Sequence, residues 1–287
     1  MTNKPHGRME MMRALMDRFA AMNMVYQKYS LDYFFESMKR LGIKNFELWT
    51  GSPHLFCMTP SLADVSAIRE KVREYGMHIV CVTPEQVMYP YNIASPDAQF
   101  RRESIEYFIR YIHNTAELGA DKLLCCAGWG NYDEDKEEAW KRSVESLQIM
   151  TAYAEKEDVR LAFEILGPQE SNLVHDFEGT RRMMSEIQSE NFTLCVDTVP
   201  VRVEGRRLEE YFEAFGSRIS HFHLTDGTPA GHVPCGTGEH PISEYLDVLQ
   251  RYGYGGYITL EIGDTGCCTD PETATRTGFE TVRNLCR

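Results

Sequence analysis

The stretch Leu161-Ala162-Phe163-Glu164-Ile165-Leu166-Gly167-Pro168-Gln169-Glu170-Ser171-Asn172 opens as an apolar run and stops on a carboxylate. It then breaks at Gly167-Pro168, and a second carboxylate follows beside Ser171 and Asn172. A short apolar run bounded by a breaker reads as a buried strand. A ligating side chain at the C-terminal end of such a strand marks the place where barrel enzymes build their sites. The pattern recurs. Thr193-Leu194-Cys195-Val196-Asp197 ends on an acid, Ile219-Ser220-His221-Phe222-His223 on an imidazole, and Tyr257-Ile258-Thr259-Leu260-Glu261 on an acid. Successive runs are spaced by about thirty residues, the length of one strand-helix unit. Strand side chains alternate faces, so Glu164 shares a face with Ala162, Asp197 with Cys195, His223 with His221 and Glu261 with Thr259. In a parallel barrel these four end residues point into one mouth.

Working outward, the same rhythm covers the chain. Strands are expected at 20–26, 45–49, 77–82, 122–126, 160–164, 193–197, 219–224 and 256–261. Helices are expected at 30–41, 61–75, 98–118, from the acidic run 133–138 onward, and at 176–188, 207–215, 242–252 and 271–284. Ser30 reads as a helix cap, and Gly42, Gly76 and Gly119 as stops. Eight strand-helix units imply a parallel sheet, and their number implies a closed (β/α)8 TIM barrel; an open doubly wound sheet is the alternative that periodicity leaves. The expected division is an N-terminal extension over 1–18, with a short helix at 8–17, and one catalytic barrel over 19–287. No Gly-x-Gly-x-x-Gly follows the first strand and no P-loop is present, so a nucleotide fold has no support.

Composition narrows the function. The chain has 287 residues, 43% of them apolar, and a net charge of −13. That charge argues against a nucleic-acid partner, whose phosphates call for fields of Lys and Arg. No apolar run approaches the ~20 residues of a membrane span, and residues 1–18 lack the apolar core of a signal peptide. Nine cysteines, including the adjacent pairs Cys125-Cys126 and Cys267-Cys268, show no framework spacing. They read as reduced thiols of a cytoplasmic protein.

Two Glu, one Asp and one His converging form a divalent-metal set with hard oxygen ligands and one imidazole, suited to Mn, Co, Mg or Zn. Glu164, Asp197, His223 and Glu261 are therefore the candidate metal ligands. Around them, Glu85 follows Pro84 at a strand end. Trp49 and His54 are aromatic candidates for substrate contact at the mouth, and His232 lies in the loop after the seventh strand. His221, one layer below His223, reads as a hydrogen-bonded core histidine.

The four ligands and the string His-Phe-His-Leu-Thr-Asp at 221–226 resemble the xylose isomerase-like sugar isomerase/epimerase superfamily. Glu47-Leu48-Trp49, Pro53-His54, Thr83-Pro84-Glu85, Tyr89-Pro90-Tyr91-Asn92, Arg101-Arg102-Glu103-Ser104 and Glu170-Ser171-Asn172 are similar to its fructoselysine 3-epimerase branch. The resemblance covers about residue 20 to the end. It implies a metal-dependent 3-epimerase, with Mn as the expected ion and Co, Mg, Zn or Ni as substitutes. The implied substrate is a small-molecule ketose or sugar–amine conjugate, and association of identical subunits stays open. By the same resemblance, Glu164 and Glu261 are implied to be both ligands and acid/base groups, moving a proton through an enediolate. Glu170 is implied to orient substrate or tune Glu164, with Asn172 beside it. Two positions depart from the free-ketose enzymes. Pro200 stands where they carry a His, and Pro229 where they carry an Arg, so those substrate contacts do not transfer. An aldose-ketose isomerase, a lyase acting on 3-keto glycosides, and a non-catalytic sugar-binding barrel are the competing readings.

Overall fold

Ser30 starts the regular pattern by accepting the Tyr33 N–H on its hydroxyl. Helix α1 (Leu31–Leu41) follows and ends at Gly42, whose φ of +68° is the left-handed conformation that a side chain resists. The buried face of α1 carries Phe34, Phe35 and Met38, and the rings of Phe34 and Phe35 pack on Phe46 of the next strand. Each such side chain, fully withdrawn from water, contributes about 1.5–3 kcal/mol. This unit then repeats around a ring.

The computed structural model describes residues 14–59 and 63–287. Its strands are β1 (Phe19–Met22), β2 (Asn45–Thr50), β3 (His78–Pro84), β4 (Lys122–Cys125), β5 (Arg160–Glu164), β6 (Phe192–Asp197), β7 (Ile219–Leu224) and β8 (Tyr257–Leu260). All pair in parallel in sequence order, and β8 pairs back to β1, which closes the (β/α)8 TIM barrel. Helices α2 (Val65–Glu74), α3 (Ala98–Leu118), α4 (Lys136–Lys156), α5 (Phe177–Glu186), α6 (Thr198–Val203), α7 (Leu208–Phe215), α8 (Ile242–Arg251) and α9 (Pro271–Leu285) form the outer layer with α1. The main core lies between the strands and this layer. A second, small cluster of Ala20, Val80, Cys81, Leu124, Ala162 and Cys195 fills the barrel lumen. Ala162 and Cys195 thus sit in the lumen, on the strand face that carries Glu164 and Asp197 upward.

Some boundaries differ from expectation. The first strand ends at Met22 rather than 26, and Asn23–Tyr26 form a 3-10 turn. The Asn23 amide takes both backbone groups of Trp49, accepting its N–H at 2.7 Å and donating to its carbonyl at 2.9 Å. A side chain therefore continues the ladder where the backbone leaves it. The second helix starts at Val65, with Asp64 accepting the Ala67 N–H, and not at Ser61, which lies outside the described residues. The short helix α6, capped by Asp197, was not expected. The helix expected over 8–17 falls mostly outside the described residues; 14–16 are helical.

Two irregularities matter for the site. Phe46 pairs with Ile79 but Glu47 with Cys81, so β3 carries one extra residue, Val80. Leu194 pairs with Ile219 but Cys195 with His221, so β7 carries one extra residue, Ser220. Bulges of this kind re-aim the side chains beyond them.

Candidate metal centre

The barrel brings Glu164, Asp197 and His223 to the C-terminal ends of β5, β6 and β7, and Glu261 follows β8 directly. One ligand atom from each of the four lies within 4.8 Å of the others. His223 Nδ1 is 2.7 Å from Glu164 Oε1 and 3.0 Å from Glu261 Oε2. Yet none of these three buried atoms makes a hydrogen bond of acceptable geometry. Buried polar atoms are almost always satisfied. Three buried polar atoms crowded on one point, without a hydrogen bond of good geometry among them, form an arrangement that a cation would complete. The donor set of three carboxylates and one imidazole fits a divalent ion in both charge and ligand type.

Charge in the cluster is correspondingly strained. Burial pushes Glu164 up to about 7, against the opposing pull of His223, with Glu261 and Asp197 adding repulsion. Burial would also raise Asp197, but His232 and His223 overcome it and hold its carboxyl below the usual range. Asp197 divides its oxygens: Oδ1 accepts the Val199 N–H at 2.8 Å and caps α6, while Oδ2 faces His232 Nε2 at 3.0 Å. His232 lies 3.6 Å from Glu261 as well. Its desolvation is outweighed by Glu261 and Asp197, which push its imidazole up to about 10.

The loop carrying His232 is organised by Asp226, quoted from sequence as the last residue of the 221–226 string but given no role there. Asp226 is 1% exposed and accepts four backbone N–H groups: Gly227 and His240 on Oδ1, Gly236 and Gly238 on Oδ2. It stands two residues past the end of β7, where an acid inside a Gly- and Pro-rich segment is a usable signal.

The other candidate substrate contacts occupy different settings. Trp49 is buried, and its indole N–H donates to Glu85 Oε2 at 2.7 Å; Glu85 Oε1 accepts the N–H groups of Val87 and Met88. His54 is buried, with Nδ1 accepting from Asn23 and Nε2 donating to the Tyr29 carbonyl. Asn172 spends both ends of its amide on the backbone of Gly130. These four brace the loops around the mouth. Glu170 lies at the exposed rim, accepting the Gly167 N–H at 2.9 Å. Together with Val87, Trp129, Tyr132, Asp133 and Asn172 it lines a cavity of about 510 Å³.

One participant was quoted from sequence without a role. Glu47 of β2 is wholly buried, and its carboxylate reaches His221 Nε2 at 2.7 Å and His223 Nε2 at 3.1 Å. A charged residue set between Phe46 and the apolar pair Leu48-Trp49 of a parallel strand is the signal. His221 sits below His223, as its strand face required, with ring centroids 5.2 Å apart.

A closed parallel eight-stranded barrel with acids and an imidazole gathered at its C-terminal mouth defines the class. The chain belongs to the Xylose isomerase-like TIM barrel family, whose model matches residues 35–285. It is 29% identical over 263 residues to fructoselysine 3-epimerase of Shigella flexneri, covering 91% of this chain and 95% of that one. Among solved structures it superposes on 3-keto-D-glucoside 4-epimerase from E. coli with a TM-score of 0.78 at 18% identity, covering 93% of this chain and 99% of the other. It also superposes on the IOLI protein with a bound zinc atom, at a TM-score of 0.78 and 19% identity, covering 94% and 98% of the two chains.

Proposed function

We propose that this protein is a divalent-metal-dependent sugar 3-epimerase acting on a ketose or a fructosamine-type sugar–amine conjugate. The observation that carries the reading is the convergence of Glu164 Oε1, His223 Nδ1 and Glu261 Oε2 without hydrogen bonds among them. Glu164, Asp197, His223 and Glu261 would hold the ion, and manganese is the expected one, since hard oxygens dominate the set. A divalent ion at this place supplies the positive charge that stabilises an enediolate oxyanion.

The remaining work falls to the chain. Glu164 and Glu261 arrive from β5 and β8, on different sides of the mouth. A sugar carbon lying between them meets a carboxylate on each face, so one can remove its proton and the other return it with inverted configuration. Pro200 and Pro229 leave no imidazole or guanidinium at those positions to grip a free ketose. The cavity beside Glu170, with Asp133 in its lining, gives room and negative charge for a sugar bearing an amine arm. The nine free thiols suit a reducing, cytoplasmic setting.

The test is solvent-deuterium uptake at carbon 3, followed by mass spectrometry, across ketoses and sugar–amine conjugates with manganese. Metal-dependent label uptake accompanied by the 3-epimer is expected. Label uptake with aldose formation or glycoside cleavage would replace this reading with an isomerase or a lyase.

A further inference from the structure

Glu47 lies deeper than the candidate ligands and touches none of the space a substrate could enter, yet its carboxylate is the most heavily used in the lumen. It projects from β2 across the barrel to β7, which is not a neighbouring strand. Its Oε2 accepts from His221 Nε2 at 2.7 Å and from His223 Nε2 at 3.1 Å; its Oε1 accepts from His223 Nε2 at 3.2 Å and from the Thr83 hydroxyl. Glu47, His221 and His223 are each 0% exposed. A carboxylate can only accept, so the hydrogen on the His223 ring that faces Glu47 must sit on Nε2. In the neutral ring, the form that can ligate a metal, the lone pair is then on Nδ1, the atom turned toward Glu164 and Glu261.

We propose that Glu47 is the positioning residue of the centre: it fixes His223 in the Nε2–H tautomer and aims Nδ1 into the ligand set, with Thr83 and His221 anchoring the carboxylate. The two strand bulges serve this arrangement. The extra residues Val80 and Ser220 bring Glu47 level with Cys81 and His221 level with Cys195, in the layer where the carboxylate and the two rings meet. Glu47, Cys81 and His221 also lie close enough to suggest a second, deeper metal site. The Glu47 oxygens are already occupied by hydroxyl and imidazole donors, and all three residues are sealed from solvent, so the cluster acts as support for the ligand set.

The inference rests on the metal reading above, and its test separates the two. Zinc affinity is measured by competition with a chromophoric chelator for wild type, Glu47→Gln and Glu47→Asp. Nitrogen-15 NMR of the His223 ring is recorded on the zinc-loaded proteins. Removing the carboxylate partner of a ligating histidine weakens metal binding by about 10–100-fold. Glu47→Gln is expected to show that loss, along with a changed or mixed His223 ring signature, because the amide offers one acceptor and one donor to two ring donors. Glu47→Asp, which keeps the charge and reaches less far, is expected to fall between Gln and wild type, and it carries the test alone if the Gln variant does not fold. Wild type that binds neither zinc nor manganese would defeat the metal reading itself. Wild type that binds zinc while both folded variants bind it equally well, with the Nε2–H signal intact, would overturn the role of Glu47.

Discussion

The two halves of the barrel mouth use buried polar residues in opposite ways. Over β1 to β3, Asn23, Trp49, His54 and Glu85 form a closed set in which the amide, the indole N–H, both ring nitrogens and both carboxylate oxygens have partners. Over β5 to β8, Glu164, His223 and Glu261 present atoms that are buried, crowded and without hydrogen-bond partners. A satisfied polar cluster contributes rigidity, and its removal leaves a desolvated group behind. An unsatisfied one is tolerated only where something else completes it. Aromatic and acidic residues at this barrel mouth thus divide into braces and candidate ligands by what their atoms already hold, not by residue type.

The largest effect that can break this contrast is catalytic. Glu164→Gln and Glu261→Gln keep shape and one oxygen while removing the base. Each is expected to lower epimerisation by about 10²–10⁴ at saturating metal. Steady-state turnover checks it, and near-wild-type rates in either variant would sink the two-carboxylate mechanism. Asp197→Ala comes next. It should abolish stoichiometric metal binding, measured by elemental analysis, while the circular-dichroism spectrum stays that of a folded barrel; the lost cap of the short helix α6 costs only about 1 kcal/mol. Full metal occupancy in this variant would remove Asp197 from the ligand set.

Smaller effects sharpen the contrast. Asp226→Asn replaces one oxygen of a carboxylate that accepts four N–H groups, turning an acceptor into a donor among donors. A loss of about 3 kcal/mol is expected from the charged hydrogen bonds given up. It should appear in urea unfolding together with faster amide exchange across 226–240. Unchanged exchange would mean that the loop is held by its other contacts. Trp49→Phe removes the indole donor from Glu85 and should cost about 1–3 kcal/mol of stability. Calorimetric metal affinity should not move. If affinity falls as it does for Asp197→Ala, the first-half cluster belongs to the centre, and the division between the two halves fails.

The sequence alone carried the repeating units and the candidate ligand set, because both rest on local regularities. A strand ending on an acid, a Ser cap three residues before its partner N–H, and a glycine at the end of α1 are legible from residues close together in the chain. In-phase strand ends become one mouth once a parallel barrel closes, which made Glu164, Asp197, His223 and Glu261 readable as a set. What tertiary structure decided depends on partners far apart in sequence. Asn23 ends the first strand because its amide meets Trp49, His54 faces the Tyr29 carbonyl, and Asn172 closes on Gly130. Glu47 meets His221 across 174 residues. No periodicity encodes such a pairing, since it is fixed by strand order, bulge position and lumen width acting together, and these exist only after the ring has closed.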